Sequence, residues 1–119
     1  MKRIEFLEEM AAQRKAYSDT QVNQTFGQAY FSSRRSGNDL IDFNEVIWEN
    51  DIDQILENCR EFGINEFTIS SSFSGLIATI AEFDKRGCKV AGLTEVKAPY
   101  TNFTTGEAEI IPAFRMQIA

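Results

Sequence analysis

Ser70, Ser71, Ser72, Ser74 and Gly75 fall within six residues, between a β-branched stretch and an apolar pattern of helical spacing (TISSSFSGLIATIAEF, residues 68–83). A strand that runs through small residues into a helix is the general geometry of anion capture. The free N–H groups of the first turn point outward and the helix dipole favours negative charge there. A phosphate or a nucleotide is the ligand this reading implies. The P-loop, however, ends in Gly-Lys-Ser or Gly-Lys-Thr, and the dinucleotide fingerprint needs three spaced glycines. This turn has one glycine, no lysine and Phe73 in its middle. The mechanical reading therefore comes first: Ser72 or Ser74 caps the helix and Phe73 packs as a hydrophobic staple, with anion binding as the alternative.

The second concentration of chemistry is acidic. Between residues 37 and 66 nine carboxylates stand against Arg60 alone, while residues 1–36 are slightly basic and residues 67–119 are balanced. The whole net charge of −6 thus comes from one central segment. Asp51, Asp53 and Glu57 fall around an exposed helical face, and a solvated face is the ordinary outcome. Trp48 beside Glu45, Glu49, Asp51 and Asp53 sharpens the picture, because an aromatic ringed by charge is a common hot-spot composition. Either Trp48 is a core residue, or this stretch is a docking surface for a basic protein. A concentrated negative field speeds encounter with such a partner.

Several chemistries are excluded by composition. The chain has no histidine, which removes Ser-His-Asp and Cys-His catalysis and the commonest transition-metal ligand. Two cysteines alone, Cys59 and Cys88, cannot close a structural zinc site, and they read as buried free thiols. No metal, no cofactor and no catalytic residue is expected, and the protein reads as a non-enzyme. A non-specific nucleic-acid binder needs a basic stripe, which this charge distribution lacks. No apolar run reaches the length of a membrane helix and the N-terminus has no signal-peptide pattern, so the expected setting is cytoplasmic.

The elements that must position these residues follow from periodicity. Ile4, Leu7, Met10 and Ala11 recur at helical spacing, as do Val22, Phe26 and Tyr30, with Ser18 and Asp19 as a candidate cap. Ser36-Gly37-Asn38 is a helix stop. The segment DLIDFNEVIWEN predicts a short helical turn presenting Val46, Ile47 and Trp48. Asn50 or Asp51 caps an amphipathic helix with Ile52, Ile55, Leu56, Cys59 and Phe62 inward, ended by Gly63. A strand follows, with Phe67 and Ile69 on one face, then a helix over 73–86 with Leu76, Ile77, Ile80 and Phe83 inward. Two further strands, near 88–96 and 109–118, form a hairpin, and Pro112 marks an edge strand or a bulge. The fold class is α/β (α+β): N-terminal helices on a small mixed sheet of about three strands, with one β-α-β crossover and a C-terminal hairpin. It reads as a single domain over 1–119, helical to 63 and strand-bearing from 64.

Two resemblances bear on function. The hairpin NFTTGEAEIIPAF is similar over about a dozen residues to the DNA-clasping arm of the HU family, whose arms are rich in Arg and Lys. Residues 102–114 contain neither, so the likeness is one of hairpin chemistry. More broadly, EVIWENDI, EFTISSSFSGL, AGLTEVKAPYT and IPAFRM resemble a family of small uncharacterised proteins from gut Firmicutes and their mobile elements. That resemblance implies a bacterial, phage or plasmid setting and no particular activity. The reading is a protein-interaction module that binds a basic partner through the acidic segment, in the manner of an accessory protein or inhibitor. A second copy docking its own basic N-terminal helix is another partner of the right charge.

Overall fold

A computed structural model of the chain describes residues 23–101 and 104–118. The periodic residues Ile4, Leu7, Met10, Ala11 and Val22 and the Ser18-Asp19 cap lie outside this range. The first helix described, α1 (Gln24–Ser36), begins at a cap that periodicity does not reveal. The Asn23 Oδ1 accepts from the Phe26 N–H at 3.0 Å, and the Asn23 N–H donates to Asn58 Oδ1 at 2.9 Å. Its inward stripe is Phe26, Ala29, Tyr30 and Ser33. Gly37, at φ 84°, closes the helix, and Asn38 N–H reaches back to Ser33 O at 2.9 Å, a Schellman stop.

The predicted turn at DLIDFNEVIWEN is not helical. Asp42–Phe43 forms a two-residue strand, β1, residues 44–48 are irregular, and a 3₁₀ turn covers Glu49–Asp51. Ile41 to Phe43 alternates too briefly to betray a strand, and β1 exists because β2 lies beside it. Helix α2 (Ile52–Glu61) follows as expected, with Ile52, Ile55, Leu56 and Cys59 buried and Phe62 closing the face. Asp51 precedes it but makes no capping bond. Strand β2 (Glu66–Ile69), helix α3 (Leu76–Lys85) and the long strands β3 (Cys88–Thr101) and β4 (Ala108–Ile118) complete the order.

The sheet is mixed and four-stranded, in the order β1-β2-β4-β3. β1 lies parallel to β2, and β4 is antiparallel to both β2 and β3. The β2-α3-β3 crossover therefore joins two strands of the same direction, with β4 inserted between them. One face carries Phe43, Phe67, Ile69 and Met116, where Phe43 meets Phe67 at 5.2 Å and Phe67 meets Phe83 of α3 at 5.5 Å. Within α3 the inward side is Thr79 and Phe83, while Ile77 is 84% exposed, contrary to its expected place. One residue separates Ile77 from the buried side, so a pattern rich in isoleucine and leucine does not locate the seam by itself.

The hairpin pairs as predicted, with Val96 opposite Ile111 and Cys88 opposite Ile118. Its register shifts twice along β3, between Val90 and Gly92, where Gly92 takes φ 155°, and between Lys97 and Thr101. Pro112 is in a central strand rather than an edge strand. It sits beyond the last β2 pair, at Phe114, and opposite Glu95. The neighbouring Lys97 turns its N–H and C=O outward to Asn38, at 2.8 and 2.9 Å. By alternation Glu95 and Pro112 form a non-hydrogen-bonded pair, and the proline nitrogen faces the side where β2 has ended.

Cys59 and Cys88 are both buried free thiols, as their apolar settings suggest. Burial pushes each thiol up to about 12, and Cys88 adds to the effect on Cys59. The folded state thus keeps protons that the unfolded chain, at the ordinary value of 9.0, releases. This stabilisation is complete below that value and is lost as pH climbs toward about 12. Urea unfolding across this window should show falling stability, with a shallower fall in the Cys59→Ala/Cys88→Ala variant. An unchanged slope would remove the thiols as its cause. Ellman's reagent should react slowly with the native protein and fully after unfolding.

Candidate functional site

The carboxylate of Asp42 is taken out of water, at 4% residue exposure, on a strand of two residues. Thr68 Oγ1 donates to its Oδ1 at 2.7 Å and Ser70 Oγ donates to its Oδ2 at 2.6 Å. Asn44 Nδ2 donates to Ser70 Oγ at 2.8 Å, and the Asp42 N–H donates to Ser33 Oγ of α1 at 2.8 Å. The sequence signal for this cluster is the pair Thr68 and Ser70, two apart on the strand face opposite Phe67 and Ile69. It becomes a signal only once β1 is known to lie alongside. Chemically, Ser70 gives its one proton to Asp42 and takes one from Asn44. The bonds close within the protein, and the cluster holds strands together.

The serine turn divides accordingly. Ser70 is engaged by Asp42 and Asn44, Ser71 is buried with no hydrogen-bond partner for its hydroxyl, and Ser72 and Ser74 are exposed. The cap position of α3 is Gly75, without a side-chain capping bond, so neither Ser72 nor Ser74 caps the helix. Phe73 does pack against the core, as the staple reading expects.

The acidic segment is broken up by folding. Asp42 is internal, Asp51 accepts from Asn23 Nδ2 at 3.3 Å, and Glu66 pairs with Arg115 at 3.4 Å. Asp53 pairs with Arg86 at 2.6 Å, and Arg86 also bonds Glu82 at 2.8 Å, which holds the Glu82 carboxyl below its usual range. Glu45 and Glu49 are exposed and have no ion-pair partner among the described residues. Trp48, between them, is 65% exposed and is not part of the core. Ile47 beside it is buried and its carbonyl accepts from Thr79 Oγ1 at 3.4 Å, so the chain is pinned where it presents the indole.

Two concavities involve this acidic segment, and Trp48 lines one of them. One, of about 440 Å³, is lined by Trp48, Glu49, Asn50, Asp53 and Arg86. The other, of about 720 Å³, has Asp42 and Asn44 among its lining residues and is walled by α1, Glu45 and Tyr100. Among the described residues no cluster of acidic and cysteine side chains could hold a metal ion, and no helix is long and apolar enough to cross a membrane.

A family model described as a domain of unknown function (DUF7698) matches residues 25–118, the span from the first turn of α1 to the end of β4. No curated protein and no solved structure matches the chain.

Removing the Asp42 carboxylate leaves two hydroxyls without their acceptor and loosens β1. Asp42→Ala should lower unfolding free energy by about 3 kcal/mol, and Ser70→Ala by about 1 kcal/mol, both read from urea midpoints at an unchanged slope. A cost for Asp42→Ala below that of Ser70→Ala would show that the carboxylate is not the centre of the cluster.

Proposed function

For a chain that belongs to the DUF7698 domain family, we propose the role of a protein-interaction module that binds a basic partner through the face centred on Trp48. The exposure of this tryptophan carries the reading. It is the chain's one tryptophan, it is 65% exposed, and its backbone is anchored at the buried Ile47. A large aromatic ring held in water on a fixed backbone loses little conformational freedom on docking. Glu45 and Glu49 give the surroundings a negative potential, and a guanidinium or ammonium from the partner can lie over the indole face. Asp53 contributes less than composition suggests, because Arg86 already balances it. Asp51 is turned inward to Asn23 and Thr25. The face needs no catalytic residue, and recognition by a non-enzyme is the simplest use of it. An accessory or inhibitory role against a basic protein suits the same chemistry, and the resemblance noted above supplies a bacterial or mobile-element setting for it.

The single tryptophan is its own reporter. Cesium should quench its fluorescence more efficiently than iodide at low salt, and the difference should shrink as ionic strength rises. A hexa-arginine peptide should shift the emission to shorter wavelength, with an affinity that falls at least tenfold in Glu45→Lys/Glu49→Lys and at raised salt. Stronger quenching by iodide, or a titration indifferent to charge reversal, would place the partner surface elsewhere.

A further inference from the structure

The cleft of about 720 Å³ has the size of a small-ligand site and a lining of unengaged polar groups. Helix α1 presents Thr25, Gln28, Ser32 and Arg35 to it, at steps of three, four and three residues, which is one stripe along the helix. Glu45, just after β1, and Pro99 with Tyr100, from β3, form the other walls. Asp42, also in the lining, is fully occupied by Thr68 and Ser70. By contrast the side chains of Gln28, Ser32, Arg35, Glu45 and Tyr100 make no hydrogen bond or ion pair with any described residue.

The cleft also carries both signs of charge. After β1 the chain runs to Asp51, whose carboxylate reaches Asn23 and Thr25 at the start of α1. Glu45 stands two residues past the end of β1, Arg35 lies in the last turn of α1, and the two make no ion pair with one another. Gln28 and Arg35 are two turns apart, about 10 Å. The cleft thus offers a carboxylate and a guanidinium that do not neutralise each other, together with the amide of Gln28, the hydroxyl of Ser32 and the ring of Tyr100.

From this arrangement we infer that the cleft binds a short peptide with free ends. Its ammonium sits at Glu45, its carboxylate at Arg35, and its backbone amides against Gln28 and Ser32. About three extended residues span the 10 Å from Gln28 to Arg35, so a tripeptide is the matching length. Charge-assisted bonds at both ends make the recognition depend on both termini being free. A polyanion is disfavoured by Glu45, and an extended polycation by Arg35. The inference is independent of the Trp48 face and shares only Glu45 with it.

The test is a titration of the full chain with trialanine, followed by amide NMR shifts and calorimetry. Shifts are expected at residues 28–35, 44–45 and 99–100. Acetylating the amine or amidating the carboxylate should each weaken binding about tenfold. Arg35→Gln should abolish the discrimination between free acid and amide, and Glu45→Gln that between free and acetylated amine. Trp48→Ala, which leaves the cleft intact, should bind trialanine unchanged while its hexa-arginine binding, read by calorimetry, is lost. No shifts up to about 10 mM trialanine, a weaker limit than useful recognition requires, would overturn the inference. So would equal binding of the doubly blocked peptide. Inorganic phosphate that shifts the same amides and loses its effect in Arg35→Gln alone would replace it with a plain anion site.

Discussion

A carboxylate buried on a strand of two residues is the constraint on which the remaining architecture hangs. Taken from water, the Asp42 charge is expensive unless hydrogen bonds replace its hydration. Thr68 of β2 and Ser70 just after it supply them, and Ser33 of α1 receives the same residue's N–H. The backbone adds Thr68 N–H to Ile41 O at 2.9 Å and Ser70 N–H to Phe43 O at 3.0 Å. Two parallel backbone bonds alone would make a marginal strand. The buried charge makes their register specific, because a slip by one residue would set Phe43 against the hydroxyls and Asp42 into the aromatic layer of Phe67 and Phe83.

Helix α1 depends on that register and in turn protects the sheet. β1 and β3 are the two outer strands. Ser33 meets the outward N–H of Asp42, and Asn38, one residue past the Gly37 stop, pairs with both backbone groups of Lys97. Part of each exposed edge is thus occupied by a side chain that imitates a strand, which discourages edge-to-edge association there. The same arrangement draws α1, β1 and the outer part of β3 around the polar cleft. The cleft's unengaged groups are a by-product of a helix whose opposite side must satisfy Asp42 and the core at once.

Electrostatics tells a related story. Nine acidic residues in the central segment look like one field in a linear reading. Folding directs them to different ends: Asp42 inward, Asp51 to the cap of α1, Asp53 and Glu66 to arginines on α3's end and β4. What remains near the tryptophan is a small group, Glu45 and Glu49, on a pinned but irregular segment. An interaction surface of this kind is carried by one aromatic and a few charges rather than by a broad acidic band.

The amphipathic helix α2, the alternation of Phe67 and Ile69 and the hairpin of β3 and β4 were legible in the chain, because each is a local pattern whose period matches its own hydrogen bonding. The Gly37 stop was legible for the same reason, since a left-handed backbone favours glycine wherever it occurs. The helix cap at Asn23, strand β1 and the fourth place in the sheet were not. Each is made by partners far along the chain: Asn58 for Asn23, Thr68 and Ser70 for Asp42. The candidate site divides in the same way. Composition placed Trp48 among carboxylates, but whether an indole faces core or water depends on which side of Ile47 the chain turns. Local spacing put Ile77 inward and Ser72 or Ser74 on a cap, whereas Thr79 and Phe83 form the inward side and Gly75 holds the cap position. Sequence determined the elements and their apolar faces, whose energies are additive along the chain. Tertiary structure alone decided which polar groups were buried and which were left free, because that depends on long-range pairing of hydrogen bonds.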